Sequence, residues 1–217
     1  MLQKPETVKT NRRNAEMKCD CAECPTHSCY TKGVNCSGIA AEEVLAAYSA
    51  EEKKIMQAAA YVEGTFYSNI TRLEETAEFA KAMGYKTLGM AFCIGLHAEA
   101  RVIARFYKQA GFEFYSVCCK ACSVAKKELG LQQVKPELEH EAMCNPKLQA
   151  RLLAEKGTEL YISCGLCVGH DAIFNQNCPG PVTTLVVKDR LLAHNPLGAV
   201  YSRYWKRKLG LQEPTEV

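Results

Sequence analysis

Four cysteines fall within sixteen residues as Cys21, Cys24, Cys29 and Cys36, a C-x2-C-x4-C-x6-C spacing. Four thiolates this close can surround one tetrahedral zinc or one cubane iron–sulfur cluster. The C-x2-C pair serves both. Zinc ribbons and fingers usually repeat a second tight pair, which is missing here, and Pro25 follows Cys24 directly. Both features tilt the reading to an iron–sulfur cluster of 4Fe-4S type, with zinc as the alternative. His27 offers a mixed zinc set with Cys21, Cys24 and Cys29, and Cys19 is spare beside the run.

The other eight of the thirteen cysteines are dispersed: Cys93, Cys118, Cys119, Cys122, Cys144, Cys164, Cys167 and Cys178. Most follow an apolar run or open a helical pattern, and thiols on connections are chemistry more often than packing. Cys93, Cys118, Cys119, Cys144 and Cys167 are the candidates to bind a second cluster or a small molecule. Buried cysteines also serve as small apolar packing residues, which is the plain alternative. His170 and Asp171 follow Cys167 closely and are the candidate catalytic pair. An imidazole beside thiolates can ligate metal or protonate a bound molecule as a general acid. A structural, hydrogen-bonded histidine is the competing reading. His97 and Glu99 open the helix after Cys93, and Lys188, Asp189, Arg190, His194 and Asn195 follow the last strand, where charged residues ordinarily serve solvation.

Only the right elements bring dispersed thiols together. Residues 1–18 read as a flexible tail, 19–38 as a Cys-rich metal-binding module, and 39–217 as a helical lead-in plus an α/β domain. Helices are expected over 40–47, from Ser49 to about Glu63 with Glu52 completing a capping box, and from Thr71 with Glu74 up to Gly84. Alternation then begins. Strands are expected at 86–92, 112–117, 159–163 and 181–187, and helices at 96–110, 122–129, 146–156 and 196–209. Tyr201, Tyr204 and Trp205 are spaced to pack that last helix on the sheet. This order predicts a parallel-sheet, Rossmann-like α/β domain with flanking helices. Right-handed crossovers put every strand C-terminus on one edge, where such sheets bind ligands. Cys144 precedes a helix rather than following a strand. It joins the others only if the long 131–145 connection folds back.

Composition sets the setting. An apolar fraction of 47% supplies an ordinary core, and a net charge of +3 is modest. Basic residues gather at Lys4, Lys9, Arg12, Arg13 and Lys18 and at Arg203, Lys206, Arg207 and Lys208, without a nucleic-acid motif. No export signal precedes the cysteines and no apolar stretch is long enough for a bilayer. Thirteen cysteines in that context point to a reducing, cytoplasmic location and to metal or catalysis rather than disulfides.

The strings AFCIGLHAEA, SVCCK, MCNPKLQA, GLCVGHD and PVTTLVVKDRLLAHNP resemble those of a family of uncharacterised metal-binding proteins. It is number 1847 among the domains of unknown function, found mainly in anaerobic bacteria and archaea. The resemblance runs from about Cys21 to the C-terminus. It implies metal binding without an assigned reaction, on Cys21, Cys24, Cys29, Cys36, Cys93, Cys118, Cys119, Cys144, Cys167 and His170. Cys19, Cys122, Cys164 and Cys178 are additions in this chain. The layout is also loosely similar to carbon monoxide dehydrogenases and hybrid-cluster proteins, which hold metal clusters at the strand ends of Rossmann-like domains.

The resulting expectation is an iron–sulfur redox protein with one or two clusters, an electron donor or acceptor protein as partner, and a small-molecule ligand. Membrane and nucleic acid are not expected partners. A zinc-stabilised, non-catalytic binding module and a metal storage or delivery protein are the alternatives.

Overall fold

The computed structural model describes residues 20–211, so the expected tail at 1–18 and Cys19 lie outside the described residues. The chain divides into two units between Lys54 and Ile55. The N-terminal unit is built from short turns: a 3-10 turn at Cys21–Glu23, then helices α1 (Ser28–Thr31) and α2 (Ala41–Ala47). Helix α3 (Ala50–Phe66) starts in this unit and ends in the next. Its start is the expected capping box: Ser49 N donates to Glu52 Oε2 at 2.8 Å, and Glu52 N donates back to Ser49 Oγ at 3.2 Å.

In the larger unit, α4 (Arg72–Met83) opens on a second capping box made by Thr71 and Glu74 and stops at the left-handed Gly84. Four strands follow: β1 (Thr87–Phe92), β2 (Glu113–Cys118), β3 (Leu160–Cys164) and β4 (Val182–Val186). Helix α5 (His97–Gln109) joins the first two. Helix α6 (Pro146–Ala154) precedes β3, and α7 (His170–Asn177) links β3 to β4. All pairings are parallel, in the order β2-β1-β3-β4, which is the α/β arrangement expected.

Strand chemistry explains the layering. β1 and β3 are central, covered on both faces, and therefore almost uniformly apolar. Leu88, Met90 and Phe92 face one core cluster with Ala77 and Ala80 of α4 and Ala100 and Tyr107 of α5. Ala91 faces a second cluster with Ala150 and Leu153 of α6 and Phe174 of α7. On that second face α6 packs very close to β1. A Cβ on Gly89 would lie 2.5 Å from Thr158 Oγ1 and 3.1 Å from Leu153 Cδ2, so the position tolerates no side chain.

Three expectations need correcting. Residues 122–129 do not form a helix: Cys122 and Ser123 have φ of 72° and 50°, which stops any α-helix, and only a 3-10 turn at Lys126–Leu129 remains. The closing helix is two, α8 (Leu197–Tyr201) and α9 (Arg203–Leu209), broken at Ser202, whose extended backbone frees its side chain to cap α9. That break spoils the aromatic stripe, leaving Tyr201 and Tyr204 largely exposed. Helix α7 was not expected at all. Phe174 is its one buried residue, so no apolar period announces it.

Candidate functional site

The β1–β2 ladder ends with Phe92 opposite Cys118. One further bond, Cys119 N to Phe92 O at 2.9 Å, carries the register a step beyond. Cys93 and Cys119 thus follow as neighbours, and alternation turns them away from the face that holds Phe92 and Cys118. Cys93 N also donates to Cys164 O at 3.2 Å, which ties the end of β1 to the end of β3.

Cys144 reaches the same place because its connection folds back. Lys126 N donates to Glu141 O at 2.9 Å, Met143 N donates to Val124 O at 2.8 Å, and Ala125 pairs antiparallel with Ala142. Lys126 Nζ and Glu141 Oε1 form an ion pair at 2.7 Å whose side chains are only 14% and 15% exposed. The other carboxylate oxygen accepts from Val134 N at 2.7 Å and Lys135 N at 3.0 Å. Asn145 N then donates to Cys119 O at 2.8 Å, and the Asn145 side chain caps α6 through Leu148 N at 3.1 Å. Cys144 is delivered beside Cys119.

The Cys119 thiol accepts from Ile94 N at 3.4 Å, next to Cys93, and its interactions with Cys93 and Cys144 shift the ionisation of all three thiols. The Cys93 thiol is lowered to about 4, first by its bond to Cys119 and then by the Gly95 backbone and Lys188. Cys144 is lowered to about 5, again first by Cys119, with the charges of Lys120 and His170 helping. Cys119 is raised, first by its interactions with Cys144 and Cys93 and then by burial.

Gln149 supports these thiols from below. It is fully buried on α6, and its Nε2 donates to Phe92 O at 3.3 Å and to Val117 O at 2.8 Å, bracing the ends of β1 and β2 together. Its Oε1 is buried and has no hydrogen-bond partner among the described residues. Nor does His170 Nδ1, which is likewise buried. Lys120 Nζ donates to Ala142 O at 2.6 Å, fastening the returning loop while standing near Cys144.

The remaining sequence candidates are placed as follows. Cys118 is half-buried against the first core cluster, away from these three thiols, and its thiol accepts from Lys120 N at 3.5 Å. Cys167 is half-buried, and its Sγ receives Arg190 Nη2 at 2.9 Å. Its carbonyl accepts from His170 N and Asp171 N, starting α7. Asp171 turns its carboxylate onto Ala172 N at 2.8 Å. His97 and Glu99 are exposed on the first turn of α5. Cys164 is fully buried in the core and pushed up to about 11 by burial, and Cys178 to about 12.

In the N-terminal unit, Cys21, Cys29 and Cys36 are exposed and Cys24 is half-buried. Cys24 Sγ lies 3.9 Å from Thr26 Oγ1, and backbone hydrogen bonds from Thr26 and His27 lower this thiol. Cys36 Sγ lies 3.9 Å from Ser28 Oγ. Among the described residues no three Cys, His, Asp or Glu side chains stand as a ready-made metal cage in either unit. The strand-end thiols do match a thiophilic group in donor type, since Cys119 interacts with both Cys93 and Cys144, those two thiols are lowered, and the buried His170 Nδ1 has no partner among the described residues.

Sequence reasoning missed Lys120 and Gln149. A lysine directly after Cys119 was a readable signal. A glutamine within the apolar stripe of α6 was a weaker one. Lys188 and Arg190, set down as rim solvation, instead contact Cys93 and Cys167. A cavity of about 280 Å³ lined by Val62, Arg72, Phe79, Leu160 and Val182 lies at the opposite ends of the strands and holds none of these groups. Among the described residues no helix is long and apolar enough to cross a membrane.

Residues 32–185 match the profile of a family described as "Protein of unknown function (DUF1847)". That span holds Cys36 and all the strand-end cysteines, while Cys21, Cys24 and Cys29 precede it. An uncharacterised protein of Methanocaldococcus jannaschii is 45% identical over 190 residues, covering 87% of this chain and 97% of the relative. No solved structure matches the chain.

Proposed function

The chain belongs to the family of proteins of unknown function DUF1847, and because that description assigns no reaction, we propose its function from the strand-end thiols: a redox protein that holds an iron–sulfur cluster there. Cys93, Cys119 and Cys144 are the proposed ligands, with Cys167 as the fourth thiol. Cys21, Cys24, Cys29 and Cys36 are the proposed ligands of a separate cluster in the N-terminal unit.

The observation that carries the reading is the convergence of Cys93, Cys119 and Cys144, held by the Cys119 N–Phe92 O and Asn145 N–Cys119 O bonds, at the carboxyl edge of a parallel sheet. Thiolates are the donors that iron–sulfur clusters take. When bound, such a cluster supplies one-electron transfer. The chain's own residues do the rest. Lys188 beside Cys93 and Lys120 beside Cys144 offset the negative charge of a thiolate set. His170, close enough to Cys144 for its charge to be felt there, is the proposed proton donor to a small molecule at the rim, with Asp171 next to it. An electron-transfer protein is the proposed partner, and a reducing compartment is part of the proposal because the thiols must stay free.

Single-thiol variants test the two-site reading. Cys24→Ser should lose the iron of the N-terminal site and keep the rest. Cys119→Ser should do the reverse. Loss of all iron from every single variant would sink the two-site reading.

A further inference from the structure

The same three sulfurs have a geometry that no cluster ligand set requires. Cys93 and Cys119 are one register step past Phe92 and Cys118 on adjacent parallel strands, on the same side of the sheet. Adjacent strands are about 4.8 Å apart, within the roughly 4.4–6.8 Å between Cα atoms that a disulfide spans. Cys119 Sγ accepts from Ile94 N at 3.4 Å beside Cys93, and Asn145 N donates to Cys119 O at 2.8 Å beside Cys144, yet Cys119 is only 2% exposed and Cys93 9%. Cys144 is the more open of the three. A reagent therefore meets Cys144 first, while the pair best placed for a bond lies behind it.

We propose that in the cluster-free chain, whose strand-end sulfurs are unligated, this site is a thiol–disulfide exchange centre that takes small disulfides as substrates. The Cys144 thiolate attacks one sulfur of the external disulfide, forming a mixed disulfide and releasing the first thiolate. Cys119 gives up its proton and attacks the Cys144 sulfur, breaking the mixed bond and releasing the second thiolate. Cys93 as thiolate then attacks the Cys119 sulfur, forming the Cys93–Cys119 bond and returning Cys144 to its thiolate. The external disulfide gains two electrons and becomes two thiolates. Cys93 and Cys119 lose two electrons, and the one proton leaves from Cys119. Lys120 stands beside the sulfur that starts the sequence, and Lys188 beside the one that ends it. Cys118, across the strand from Cys119, and the buried Cys164 are not involved.

The test uses the full chain, purified anaerobically, stripped with a chelator and checked for retained fold by circular dichroism. It is then treated with oxidised glutathione, alkylated, digested and mapped by mass spectrometry. The expected result is a Cys93–Cys119 link with loss of alkylation at both residues and reversal by a reducing thiol. Cys119→Ser should abolish the link and accumulate glutathione on Cys144. Cys144→Ser, a milder change at the half-buried position, should slow the link's formation. Full alkylation of Cys93 and Cys119 in the treated chain overturns the proposal, as does linkage through other cysteines with this pair left free. Metal analysis of the untreated protein is a separate readout, so a chain without iron that forms the link would sink the cluster reading and leave this one standing.

Discussion

Cys93 and Cys119 are register neighbours one step past the ends of β1 and β2, and the Cys119 thiol interacts with both Cys93 and Cys144. That interaction is the largest cause lowering the Cys93 and Cys144 thiols. The ordinary thiol value is 9.0, and those of Cys93 and Cys144 stand at about 4 and about 5. Both thus ionise more readily than an ordinary thiol. The rate of Cys144 alkylation should hold steady from neutral pH down and fall only as pH drops through about 5. In Cys119→Ala the largest cause of lowering is gone, and the fall should move up toward the ordinary thiol range. Mapped alkylation rates across pH check this, and a wild-type profile identical to that of the denatured chain would refute it.

Gln149→Leu should destabilise the larger unit. The change keeps the volume but removes both amide bonds, to Phe92 O and Val117 O, at a buried position. Phe92 O retains the Cys119 N–H as partner, so the cost falls mainly on the Val117 carbonyl. A loss of about 1–3 kcal/mol follows from leaving buried groups unpaired. Urea unfolding measures it. A variant as stable as the parent would show that Gln149 does not brace the strand ends.

The Glu141 clasp should be acid-sensitive in a definite direction. Its carboxyl is lowered from 4.5 to about 2, first by Lys126 and then by the Lys135 and Val134 amides. A lowered folded value means the contribution is present above 4.5 and is lost as pH falls from there toward 2. Amide exchange at Val134 and Lys135 reads the clasp directly. At matched pH their protection should be lost in Glu141→Ala, and in the parent it should fade across that acid window. Unchanged protection in the variant would mean the loop is held by its backbone bonds alone.

Gly89→Ala probes how closely α6 approaches the sheet. The new methyl would meet Thr158 Oγ1 at 2.5 Å, and that hydroxyl is committed to Leu153 O at 2.7 Å. The Thr158 side chain must move and give up that bond, at a cost of about 1–3 kcal/mol. Thermal unfolding should register a lower midpoint, and an unchanged midpoint would show that α6 yields freely.

The sheet was legible because each strand is an apolar run and each long helix carries a cap or a stripe. The parallel order then predicted that Cys93 would meet Cys118 or Cys119, since these thiols come at the ends of neighbouring strands. Cys144 was not legible in the same way. Its return depends on the Lys126–Glu141 pair and on single backbone bonds at Val124 and Cys119, none of which leaves a period in the sequence. The expected helix at 122–129 failed on the left-handed backbone of Cys122 and Ser123, residues whose type alone does not demand it. Asn145 and Pro146 did announce α6, and with it the end of the excursion.

The most direct test of the proposed function is the iron and acid-labile sulfide content of the anaerobically purified chain, measured for the parent and for Cys119→Ser. The account predicts iron and sulfide in comparable amounts in the parent and a partial loss of both in the variant. Tightly held zinc without sulfide in the parent, or iron and sulfide undiminished in the variant, would contradict it.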